Sequence, residues 1–170
     1  MDLLVSDTSV LVDLERGNLL NEAFRLPYRL VVPDLLYERE LRNHGGDELL
    51  ALGLEVAELT AVQVENAHSC RRERPALSLP DVFALALARA REGTLLTGDS
   101  RLRSLATQKG VLCRGLLWLL DEMLLNGISA ESLHTGLQMI EMHPRCRLPK
   151  REVNARLARY AAVTDGSDSI

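Results

Sequence analysis

Short, unbroken apolar runs separated by helical stretches constrain this chain most. Leu3-Leu4-Val5-Ser6, Leu30-Val31-Val32, Thr94-Leu95-Leu96-Thr97 and Val111-Leu112-Cys113 each hold three or four residues without in–out alternation. Leu54-Glu55-Val56 adds a candidate edge strand. Strands of this kind must be covered on both faces, and helices lie between them in the chain. The pattern predicts an α/β fold with a parallel sheet of about five strands, layered α/β/α.

The helices carry their own punctuation. Asp7-Thr8-Ser9 opens a helix with Val10, Leu11 and Leu14 on one face, and Gly17-Asn18 breaks it. A second covers about residues 19–25. Pro33-Asp34 opens a third, reaching about Asn43, with Asp34 as its natural N-cap. Asp47 to Leu52 gives one or two turns. Thr60-x-x-Gln63 has capping-box spacing and starts a helix to about Arg74. Ser78-x-x-Asp81 starts the central Ala/Leu-rich helix, which ends near Gly93. Ser100 to Lys109 is the next. Beyond the last strand the chain is all helical: 116–125, 129–142, and a basic helix from Pro149 to about Ala162. Residues 164–170 are small and polar, with the character of a fraying tail. The expected organisation is one domain with its main body over residues 1–122, its helical extension over 123–162, and a flexible tail at 163–170.

Composition narrows the class. Of 170 residues, 46% are apolar and 26% charged, as in a soluble globular domain. Aromatics make up 4%, so the core is built from Leu, Val and Ala. No apolar run approaches the length of a bilayer span, and Met1-Asp2-Leu3 lacks a basic leader, so no membrane association and a cytoplasmic location are expected. Cys70, Cys113 and Cys146 are odd in number and far apart, which fits reduced thiols. A net charge of -4 is mild evidence against a general nucleic-acid binder, although the basic residues cluster.

The acids are placed at strand and helix ends. Asp7 follows the first strand and Asp99 the fourth; Asp34, Glu38 and Glu40 follow the second; Asp81 starts the helix that leads into the fourth. In an open parallel sheet, functional groups gather at the carboxyl ends of the strands. Carboxylates brought together stay ionised only if a cation neutralises them. Hard oxygens without His or Cys partners select Mg²⁺ or Mn²⁺. Each acid also has a purely local reading. Asp81 completes a capping box, and Asp7, Asp34 and Asp99 stand where N-caps stand. Spacing alone leaves both readings open.

Four segments in order resemble the PIN-domain ribonucleases, in particular the VapC-like toxins of prokaryotic toxin–antitoxin pairs. They are Val5-Ser6-Asp7-Thr8-Ser9-Val10-Leu11; Pro33 to Leu41 with its Glu-Leu pair; Leu79-Pro80-Asp81 to Ala88; and Leu95-Leu96-Thr97-Gly98-Asp99-Ser100-Arg101-Leu102. The resemblance spans about residues 2–120. It implies a PIN-like fold, endoribonuclease activity, a Mg²⁺ or Mn²⁺ cofactor, frequent homodimers and an antitoxin partner. It implies Asp7, Asp81 and Asp99 as metal-site acids, with Glu40 beside them and Glu38 as the alternative. Two residues apart on a helix lie about 200° around it, so only one of the two Glu is expected to face the site. Thr8 and Thr97 are candidate supports for a carboxylate or a metal-bound water. Where some relatives carry a further acid, Ser100, Arg101 and Arg103 follow Asp99 here, so at most one ion is expected to be firmly bound without RNA.

Arg101 and Arg103 are candidate RNA-phosphate contacts. Arg71, Arg72 and Arg74, and the set Arg145, Arg147, Lys150, Arg151, Arg156 and Arg159, are further basic clusters, each equally readable as a solvated face. The four histidines show no ligand spacing. Leu116 to Leu120 reads as core plus dimer surface. Two other functions compete with the nuclease. One is a PIN-like module that binds RNA or protein without cutting. The other is a phosphatase with an aspartyl nucleophile, which the absence of an acid at Ser9 disfavours.

Overall fold

The computed structural model describes residues 2–167. Its five strands are β1 (Asp2–Ser6), β2 (Tyr28–Pro33), β3 (Glu55–Ala57), β4 (Thr94–Leu96) and β5 (Cys113–Arg114). They form one sheet in the order β3-β2-β1-β4-β5, with every pairing parallel. The sheet is flanked by helices, the α/β/α class that the runs predict. β5 falls two residues later than the apolar run suggested.

Between β1 and β2 lie α1 (Thr8–Arg16) and α2 (Leu20–Phe24). After β2 the chain forms α3 (Asp34–Leu36), a π-helical turn (Tyr37–Leu41) and α4 (Gly46–Leu52). Then come α5 (Ala61–Glu73) and α6 (Leu79–Ala90) before β4, and α7 (Ser100–Gln108) before β5. The remainder is α8 (Leu116–Leu125), α9 (Ala130–Met142) and α10 (Lys150–Ser167). Both predicted capping boxes form, at Thr60/Gln63 and Ser78/Asp81. Asp34 is not the N-cap of α3. Pro33 holds that place in extended backbone, and the Asp34 carboxylate accepts the Leu35 amide at 2.7 Å instead. α10 runs past Ala162 to Ser167, through the start of the expected tail; residues 168–170 lie outside the described part.

The chain divides into two compact units. The first comprises residues 1–10 and 27–115; the second comprises 11–26 and 116–170. In the first, α6 packs on β1, β2 and β4 and against α5. Residues Val82 to Ala88 are all buried, with Ala84, Ala86 and Ala88 small enough for close approach. In the second, α9 packs against α10 and α8. Leu116, Leu119 and Leu120 of α8 are buried and Leu117 and Trp118 half-buried, so most of that apolar run is core. Among the described residues, no helix is long and apolar enough to cross a membrane.

This strand order positions the site. From β1 the sheet grows one way through β2 and β3, and the chain then crosses to the other side of β1 to build β4 and β5. β1 and β4 are therefore neighbours at the reversal of strand order, where the carboxyl ends leave a crevice. Ser6 pairs with Leu96 at that edge, so Asp7 and Thr97 emerge side by side.

Candidate active site

Ser6, Asp7 and Thr97 are the polar or charged residues buried in the first unit, and all three stand at this edge. Buried polar groups require partners, and these have them. The Asp7 amide donates to the Leu96 carbonyl at 2.9 Å. The Asp7 Oδ1 accepts from the Ser9 hydroxyl at 2.7 Å and from the Val10 amide at 3.1 Å. Its Oδ2 accepts from the Thr97 hydroxyl at 2.5 Å. The two hydroxyls are themselves held by the turn after β4: Gly98 N donates to Ser9 Oγ at 3.3 Å, and Asp99 N donates to Thr97 Oγ1 at 3.0 Å. Asp7 is thus clamped between its own helix start and the start of α7.

The other acids are also set by helix starts. The Asp99 Oδ1 accepts the Arg101 amide at 2.7 Å and the Leu102 amide at 3.1 Å, capping α7. The Asp81 Oδ2 accepts the Ser78 amide at 2.9 Å in its capping box. The local and the functional readings of these residues are therefore compatible: a cap fixes one oxygen and the direction of the other. The second oxygens of Asp81 and Asp99 take no hydrogen bond within the described residues.

The choice between the two Glu is a matter of placement. Glu40 is half-buried, and its Oε2 accepts the Thr8 hydroxyl, next to Asp7. Glu38 is exposed and pairs with Arg42 at 2.5 Å. Both sit on the π-helical turn, closed by the Arg42 amide on the Tyr37 carbonyl at 2.8 Å. Such turns recur at functional sites because they re-aim side chains.

Burial raises the Asp7 proton affinity above the usual carboxylate range; the bonds from Thr97, Ser9 and Val10 work against this, and the nearby Asp81 charge adds to it. A buried carboxylate beside another carboxylate is short of positive charge, and hard oxygens suit Mg²⁺ or Mn²⁺. Asp7, Asp81, Asp99 and Glu40 are hard-oxygen donors, the residue type that such an ion takes. Among the described residues, however, no three His, Cys, Asp or Glu side chains converge on one metal position. The acids at this edge form no closed cage.

Two residues have roles the sequence did not announce. Ser9 bridges Asp7 and Gly98, a contact between positions 89 apart. Arg103, expected on phosphate, donates from Nη2 to the Thr97 carbonyl at 3.0 Å. Arg101 is exposed beside Asp99. In the C-terminal basic set, Arg156 forks onto Asp121 at 2.6 and 3.1 Å and Arg159 also pairs with Asp121, so these two are committed internally. Arg72 pairs with Glu65 and Arg74 with Gln108.

A PIN-domain family model matches residues 3–161. No curated protein matches the chain significantly. A PilT N-terminus domain protein from the archaeon Sulfolobus solfataricus P2 superposes with a TM-score of 0.50 at 16% identity, over 73% of this chain and 94% of that one. A toxin–antitoxin complex from Klebsiella pneumoniae aligns with a TM-score of 0.43 at 22% identity, over 58% of this chain and 88% of the other. The first likeness concerns the fold alone. The family model spans nearly the whole chain, including every acid of the crevice, and on that ground the chain belongs to the PIN-domain family, whose members are generally nucleases.

Proposed function

We propose that this protein is a divalent-metal-dependent endoribonuclease, acting as the toxin of a toxin–antitoxin pair. The observation that carries the reading is Asp7, a buried carboxylate anchored by three donors at the strand-order reversal. Asp7, Asp81 and Asp99 would hold a Mg²⁺ or Mn²⁺ ion, with Glu40 facing it. When bound, the ion would neutralise phosphodiester charge and lower the proton affinity of an attacking water. The chain's own share is orientation. Thr97 and Ser9 fix the Asp7 carboxylate, Thr8 holds Glu40, and the caps of α6 and α7 aim the free oxygens of Asp81 and Asp99. Arg101, exposed at the rim, would meet the RNA backbone. A homodimer and a small antitoxin complete the proposal, on the strength of the sequence resemblance.

A second reading, a PIN-like module that binds RNA or a protein without cutting, is favoured by the hydrogen-bonded state of Asp7, whose two oxygens both have donors already. Cleavage of a structured RNA in Mg²⁺ or Mn²⁺, with chelator as control, separates the two. Native protein should cut, and Asp7→Asn and Asp99→Asn should not. Full activity in both variants would sink the metal mechanism, and no cleavage by native protein would leave the binding module.

A further inference from the structure

Thr97 is fully buried and spends every polar group it has. Its amide donates to the Arg114 carbonyl at 3.0 Å. Its hydroxyl donates to Asp7 and accepts from the Asp99 amide. Its carbonyl accepts from Arg103 Nη2 at 3.0 Å. That last bond closes a ring. The chain leaves β4 at Thr97, turns through Gly98 and Asp99, enters α7, and one turn later Arg103 reaches back to the residue where the turn began. The Arg103 amide donates to the Asp99 carbonyl at 3.0 Å, so backbone and side chain of Arg103 grip both ends of the same turn.

The neighbouring strand leaves room for the guanidinium. A Cβ built on Gly115 would stand 3.0 Å from Arg103 Nη2 and 3.6 Å from the Thr97 carbonyl oxygen. A side chain at 115 would contest the place the guanidinium occupies, and the flexible end of Arg103 would have to yield. Burial pushes the Cys113 thiol up in proton affinity and the charge of the same guanidinium works against this, so that charge is felt at β5.

We propose that Arg103 is a positioning residue of the crevice. By occupying the Thr97 carbonyl it fixes the 97–99 turn, and through that turn the Thr97 hydroxyl on Asp7 and the direction of the Asp99 carboxylate. Gly115 is glycine so that the guanidinium can lie there. The kinetic part of this inference rests on the nuclease reading; the structural part does not. Without Arg103 a buried carbonyl loses its donor and the turn gains freedom to reach water.

The test uses full-length native protein, Arg103→Ala, Arg103→Lys and Gly115→Ala, with two readouts. The first is amide hydrogen exchange at Gly98 and Asp99 without added metal. Arg103→Ala should speed exchange at Asp99 about tenfold, and Gly115→Ala should do so in the same direction but less, because the bond to Thr97 is lost in one and displaced in the other. The second is steady-state RNA cleavage in Mn²⁺. Arg103→Ala should lose about tenfold in kcat with KM held within about twofold, Arg103→Lys should fall between it and native, and added guanidinium ion should restore part of the Arg103→Ala loss. Unchanged exchange at Asp99 in Arg103→Ala overturns the proposal. So does a rise in KM at constant kcat, which would make Arg103 a phosphate contact. If native protein cleaves no RNA, the nuclease reading fails, while the exchange measurement still decides the role of Arg103.

Discussion

The Thr97 hydroxyl donates to the Asp7 carboxylate at 2.5 Å, joining the ends of two adjacent parallel strands across 90 positions of sequence. The bond has no solvent around it, because both residues are buried. It therefore sets the direction of a carboxylate whose proton affinity burial raises.

Thr97→Val removes this bond and the acceptor for the Asp99 amide while keeping the shape. Leaving the buried Asp7 oxygen and the Asp99 amide without these partners should cost about 1–3 kcal/mol of stability, measurable by urea unfolding. Thr97→Ser keeps the hydroxyl and should retain most of both stability and RNA cleavage. A Thr97→Val variant as stable and as active as Thr97→Ser would show that the hydroxyl does not matter.

Glu40 and Glu38 should separate cleanly. Glu40→Gln replaces the half-buried partner of Thr8 and is expected to lower kcat by about a hundredfold, the scale of one oriented charged group at a reacting centre. Glu38→Ala breaks an exposed pair with Arg42, worth about 0–1 kcal/mol, and should leave cleavage within about twofold. Steady-state kinetics on one RNA decides it, and a larger loss at Glu38 would reverse the assignment.

The pH dependence of stability should carry the signature of Asp7. Burial raises its proton affinity in the native state above that of the unfolded chain. In the pH window between those two values the native state binds more protons, so stability from this group is greatest at low pH and falls as pH rises through the raised value. Asp7→Asn removes that component. With chelator present, the variant's melting temperature should exceed the native one by about 2–4 °C above the window, for about 1 kcal/mol of relieved burial, and the gap should close on acidification. A gap that widens on acidification would refute the assignment.

Gly136 of α9 faces Gly17 and Leu19 with no space to spare. A Cβ there would stand 2.6 Å from Leu19 Cδ1 and 2.8 Å from the Gly17 carbonyl oxygen. Leu19 can rotate, but the carbonyl cannot, so Gly136→Ala should destabilise the protein by about 1–3 kcal/mol. A thermal melt detects this. A melting temperature unchanged or raised would mean that the segment before α2 repacks without cost.

The sequence by itself determined what depends on near neighbours. Both capping boxes, the break at Gly17-Asn18, and the apolar runs of β1, β2 and β4 are local, since each bond or burial preference involves residues at most four apart. From these came the α/β class, the parallel sheet and the placing of Asp7 and Asp99 at strand ends. The same locality explains the differences: β5 and the end of α10 have weak boundary signals, and Pro33 fills the cap position that Asp34 suits by residue type. Only the tertiary structure decided which groups meet. Glu40 rather than Glu38 meets Thr8, 32 positions away, because a π-helical turn carries both. Ser9 meets Gly98 because β1 and β4 lie side by side where the strand order reverses, and Arg103 reaches Thr97 from the first turn of α7. Among the described residues the acids share no single metal position, and Asp7, Asp81 and Asp99 are each held first by a helix start. A hydrogen-bonded cap is satisfied within one turn of chain, whereas a closed set of metal ligands requires three separate segments to agree on one point.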